Sequence, residues 1–101
     1  MKVLVMTTWE NPKDDEGLKK YYDNLEKYGE YRAERRKKYK VKSSNWGEGT
    51  GKMYVLDEYE SYEAYAKFMD DEELQKNIIN FCRLVNNVEV KVLKESLSVP
   101  P

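Results

Sequence analysis

Histidine does not occur in this 101-residue chain. That absence removes imidazole from every role it could fill: general base, zinc or haem ligand, member of a Ser-His-Asp arrangement. Cysteine is reduced to Cys82, which excludes an internal disulfide. Its place in an apolar helical stripe makes it read as a buried inert thiol rather than a nucleophile. Only carboxylates and amides remain for a metal, and these suit calcium or magnesium at best, so no transition-metal site and no cofactor are expected. Long apolar runs are missing too. Residues 3–6 and 53–56 are strand-sized, far below the roughly 20 residues a membrane helix needs. A single Lys followed by a strand is not the pattern of a signal peptide, and the expected location is cytoplasmic.

What is present is charge. Lys and Arg number 18 against 19 Asp and Glu, and charged residues make up 37% of the chain against 40% hydrophobic. The mean hydropathy of -0.94 describes a heavily solvated surface. A chain this short has room for one modest core, so one domain is expected over residues 1–95. Residues 96–101, with two prolines, read as a loose arm or a segment laid on a partner. The charges are unevenly spread. Arg32, Arg35, Arg36, Lys37, Lys38, Lys40 and Lys42 form a basic cluster that could meet phosphates. Glu30 and Glu34 interleave with it, however, and cations in a last helical turn complement the helix dipole, so a solvated helix face is the stronger reading.

The chain is organised around residues 40–59. Gly47, Gly49 and Gly51 punctuate a turn between two strands, and Met53-Tyr54-Val55-Leu56 has the composition of a buried strand. Before it, residues 2–9 place Val3, Val5, Thr7 and Trp9 on one side and Leu4, Met6 and Thr8 on the other, so both faces are apolar. After Asn11-Pro12, the acidic run 14–16 opens a helix whose stripe is Leu18, Tyr21, Tyr22, Leu25 and Tyr28. This helix is expected to continue, with a bend near Gly29, to about residue 38. Beyond the hairpin, Ser61 can cap a helix with the stripe Tyr62, Tyr65, Ala66 and Met69. Asp70 and Glu73 stand at capping-box spacing for a second start, followed by Leu74, Ile78, Phe81, Cys82 and Val85. Asn86-Asn87 ends that stretch, and Val88, Val90 and Val92 alternate in a last strand.

Strands near 2–9, 39–46, 52–59 and 88–95 with helices between them give the α+β ferredoxin-like βαββαβ plan, a four-stranded antiparallel sheet with two principal helices on one face. The apolar first strand ending in Thr7-Thr8-Trp9-Glu10, Trp46 before the glycine turn and Gly51-Lys52-Met53-Tyr54-Val55 fit a known family. So do the broken second helix around 68–74 and the closing strand 88–92. In their order and spacing these features resemble the dimeric α/β-barrel superfamily, nearest in look to its small uncharacterised members. The resemblance implies two ferredoxin-like sheets pressed into one barrel. It spans cofactor-free monooxygenases, haem-degrading enzymes, isomerases and sensing domains, and so leaves function open. The haem branch lacks an axial histidine here.

The expected partner is a second copy, because helices cover one sheet face and the other would expose an apolar patch that soluble monomers seldom show. The expected function is a homodimer binding a small, possibly aromatic ligand in the cleft between helices and sheet. Tyr22, Tyr54 and Tyr65 can offer hydroxyls there, although such residues more often pack in the core. Trp9 and Trp46 end strands and either wall a ligand site or pack on the mate. Asn45 can orient a carbonyl or serve the turn, Phe68 closes the cleft, and Arg32 is a further polar candidate. Adjacent Asp57 and Glu58 point to opposite strand faces and form no acid-base pair. No catalytic residue is assigned. The alternatives are a monooxygenase-like or isomerase-like enzyme without cofactor, and a nucleic-acid-binding module using the basic cluster. Aromatics missing from the RNA-recognition positions make nucleic acid the weaker partner.

Overall fold

In the computed structural model, which describes residues 1–96, seven elements follow one another: β1 (Val3–Glu10), α1 (Asp15–Lys38), β2 (Lys42–Gly47), β3 (Lys52–Tyr59), α2 (Tyr62–Met69), α3 (Glu72–Cys82) and β4 (Asn86–Lys94). The strands form one antiparallel sheet in the order β2-β3-β1-β4. This is the ferredoxin-like plan. Apart from Ser96, the tail expected over 96–101 lies outside the described residues.

Strand alternation sorts the side chains. Val3, Val5 and Trp9 of β1 are buried beneath the helices, with Asp57 and Tyr59 of β3 on the same face. They meet Phe68 of α2 and Leu74 and Phe81 of α3 in two clusters, one around Tyr59, Phe68 and Leu74, the other around Trp9, Tyr21 and Phe81. The hairpin closes as its glycines require: Glu48 and Lys52 bond backbone to backbone at 2.8 Å and Gly51 takes a φ of 90°, a conformation that costs glycine little.

Asp14 starts α1 by accepting from the Gly17 N–H, and the helix runs unbroken through Gly29. The α2–α3 break corrects the expected cap. Asp71, one residue later than Asp70, is the N-cap, accepting from the Leu74 N–H at 3.1 Å. It also receives the Tyr39 hydroxyl at 2.7 Å and the Arg35 guanidinium at 2.9 Å, so one carboxylate ties the start of α3 to the end of α1. Those contacts, the Tyr39 hydroxyl first, hold its carboxyl below the usual range.

The helix stripes are narrower than periodicity suggested. Tyr22, Tyr62 and Met69, all expected in buried stripes, are exposed. Adjacent helical residues point about 100° apart, so of Tyr21 and Tyr22 only Tyr21 reaches the core. The α3 helix ends at Cys82, short of Asn86-Asn87, which open β4 instead.

The second sheet face carries Trp46, Tyr54, Leu56, Met6, Leu4 and Leu93 in paired register, a diagonal apolar band flanked by Lys42, Glu58, Glu89 and Lys91. The helices also stop short of the edge strand: β4 is exposed along its whole length, with Val90 and Val92 bare on the helix side. No helix among the described residues is long and apolar enough to cross a membrane.

Candidate functional site

The space between α1, α3 and the sheet is not filled by side chains. A cavity of about 540 Å³ lies there, with Thr7 and Trp9 of β1, Ser43 and Asn45 of β2, and Met53 and Val55 of β3 on the sheet side. From α1 come Tyr21, Leu25, Gly29, Arg32 and Arg36. The spacing of four, four, three and four along α1 is one continuous helical stripe. Gly29 is where this wall is thinnest, since a Cβ built on it would meet nothing within 4 Å.

Aromatic edges form the end near Trp9. Its ring stands edge-to-face on Phe81, 5.2 Å between centroids at 80°, and Tyr21 packs on Phe81 at 5.8 Å. The Trp9 indole N–H donates to the Asn11 side-chain oxygen at 3.1 Å, which fixes the ring plane. Trp9 sits where β4 carries an extra residue: Thr8 pairs with Glu89 and Glu10 with Asn86, and Asn87 takes a φ of 52°. Such bulges re-aim a side chain at a strand end. Burial raises the Tyr21 hydroxyl and the Cys82 thiol above their ordinary pKa values, the thiol against the pull of Arg32.

The opposite side of the cavity is cationic. Arg36 bonds to both Asp57 oxygens at 3.1 and 3.4 Å, and the Ser43 hydroxyl donates to the same carboxylate. Arg32 is 8% exposed and donates to Asn77 at 2.7 Å and Asn24 at 2.9 Å. Its guanidinium lies 5.0 Å from the Phe81 ring centre. Burial, then the nearby Arg36 charge, lowers its pKa. Arg32, Arg36 and Lys37 line the cavity and no Asp or Glu does.

Among the residues singled out from sequence, Trp9, Asn45 and Arg32 line this cavity. Tyr22 faces solvent on α1. Trp46 and Tyr54 pair across β2 and β3 on the opposite sheet face, where the Trp46 indole donates to Ser44 and the Tyr54 hydroxyl to Glu48. Tyr65 and Phe68 pack on Tyr59 in the other core cluster. Tyr21, Phe81 and Arg36 were not picked out, although the α1 stripe extended across Gly29 points to Arg32 and Arg36. Among the described residues no group of three His, Cys, Asp or Glu could hold a metal ion.

No family model and no curated protein matches the sequence. Solved structures do match. A candidate antibiotic biosynthesis monooxygenase from Deinococcus radiodurans superposes with a TM-score of 0.67 at 10% identity, covering 100% of this chain and 98% of that one. SnoaB, a cofactor-independent oxygenase from Streptomyces nogalater, gives 0.63 at 7% identity over 99% and 98%. A NIPSNAP family protein from Agrobacterium tumefaciens gives 0.60 at 12% over 99% and 98%. These structures share the α+β ferredoxin-like fold of this chain. Identities this low speak for fold alone.

Proposed function

We propose that the protein is a homodimer in which each subunit binds a small aromatic molecule in the cleft between α1, α3 and the sheet. The observation that carries this reading is the cavity itself. Ligand pockets span roughly 300–1,000 Å³, and about 540 Å³ left open beside Trp9, Tyr21 and Phe81 lies inside that range. A domain of this size has little apolar burial to spare. The lining is apolar and aromatic with a few convergent polar groups, Ser43, Asn45 and Arg32, the make-up of small-molecule sites.

Binding is favoured over proton-transfer catalysis because no carboxylate or imidazole lines the cavity, and the Cys82 thiol is held protonated by burial. The nucleic-acid reading loses much of its cluster: Arg35 is engaged by Asp71 and Glu73, Arg36 by Asp57, and Arg32 is buried.

Gly29→Leu separates site from scaffold. Leucine at a helix interior should add about 1 kcal/mol over glycine, while its side chain occupies the open wall of the cleft. In a thermal-shift screen of aromatic metabolites the wild type should melt higher with at least one compound, by mass action. The variant should melt higher without ligand and show no response. A response of equal size in the variant would place the ligand outside the cleft.

A further inference from the structure

We propose that the molecule held in this cleft is an aromatic carboxylate, its ring against Trp9 and Phe81 and its carboxylate hydrogen-bonded by Arg32. The inference rests on the cleft reading and names the charge that the cleft selects.

The three arginines of α1 are treated differently. Arg35 has Asp71 at 2.9 Å and Arg36 has Asp57 at 3.1 Å. Arg32 is the most buried of them, and among the described residues it has no carboxylate within ion-pair distance. Its partners are the side-chain oxygens of Asn24 and Asn77, one from α1 and one from α3. Both acceptors are neutral. They hold the guanidinium in place without cancelling its charge, where an aspartate at either position would have cancelled it. A buried cation lacking a counter-ion costs several kcal/mol, and a fold carries that cost most readily where an anion will complete the pair.

The guanidinium has five N–H donors. Asn24 and Asn77 take one on each terminal nitrogen, and the others make no hydrogen bond within the described residues. The fork therefore has donors left for an oxyanion, and arginine suits carboxylate geometry through paired donors. The surroundings agree: Lys37 adds positive potential, no acidic side chain lines the cavity, and the amide of Asn45 supplies a further neutral polar contact. This local balance is unlike the chain as a whole, whose net charge is -1. The Phe81 ring beneath the guanidinium places an apolar surface next to the anion site, as a ring bearing a carboxylate requires.

The test is calorimetric titration of the full-length protein with 2-naphthoate and with 2-naphthamide, which share ring and shape and differ in charge. A charge-assisted hydrogen bond in a desolvated site should favour naphthoate by about tenfold or more. Arg32→Gln should bring the two affinities together mainly by weakening naphthoate, and Arg32→Lys should keep part of the preference. Equal binding of both probes by the wild type would overturn the anion assignment while leaving the aromatic cleft standing, and this comparison decides even if Arg32→Gln does not fold. A preference undiminished in Arg32→Gln would also overturn it, by moving the anion to Arg36 or Lys37. Failure of both probes to bind the wild type would overturn the cleft reading and this inference together.

Discussion

Asp57→Ala should melt about 10–20 °C below the wild type, the largest drop expected from any single polar substitution in this protein. Asp57 is 4% exposed on the helix side of β3. It joins three elements: Arg36 reaches it from α1 with two N–H groups, and Ser43 reaches it from β2. Removing the carboxylate strands the Arg36 cation near Arg32, with nothing in the cavity lining to replace its partner. Breaking a buried pair from one side typically costs about 3–5 kcal/mol, whereas replacing both members by apolar groups is often nearly neutral. The double variant Asp57→Ala with Arg36→Met should therefore be more stable than Asp57→Ala alone. Thermal melts of the two read this directly, and a double variant no better than the single would show that Asp57 acts through Ser43 and β2 rather than through the ion pair.

Leu56→Glu should abolish the proposed dimer and leave a monomer with impaired folding. Leu56 lies opposite Met6 and Ser44 at the middle of the uncovered sheet face. That face carries the apolar band from Trp46 and Tyr54 to Leu4 and Leu93, Trp46 being 61% and Leu93 48% exposed in the single chain. Apolar area removed from water is worth roughly 25 cal/mol per Å², so a face-to-face pairing would supply a large part of the stability. A twofold axis would bring each introduced carboxylate in twice, desolvated and without a partner. Sedimentation at micromolar concentration should give wild-type protein at twice the chain mass of 12.0 kDa and the variant at one chain mass. A well-folded wild-type monomer would end the proposal, and a variant that still dimerises would move the interface elsewhere.

The elements that sequence made legible are those under strong local constraint. The glycine turn at Gly51, the Ser61 cap and the alternation in β1 each have one cheap local solution, and they appear as expected. The site was less legible because it depends on register and on small angles. Asn45 and Trp46 are adjacent in β2, so the β2–β3 pairing sends Asn45 toward the helices opposite Val55 and Trp46 to the other face opposite Tyr54. A shift of one residue would exchange them. On α1, the choice between Tyr21 and Tyr22 turns on about 100° of helix rotation. Arg32 is a polar candidate in sequence but does not stand apart from the other six cations of its cluster, because its uncharged partner Asn77 is 45 positions away and leaves no local pattern. The cleft becomes visible in sequence only when the α1 stripe is followed across Gly29.

The most direct test of the cleft as an aromatic binding site uses the placement of the two tryptophans. Trp9 borders the cavity and Trp46 stands on the far face of the sheet, so Trp46→Phe leaves an emission that reports on the cleft. Titrating that variant with 4-nitrobenzoate, a ring that quenches indole fluorescence on contact, should give saturable quenching of Trp9. The same titration of the Trp46→Phe, Gly29→Leu double variant should give none beyond the linear collisional background. Linear, unsaturable quenching of equal slope in both variants would contradict the account.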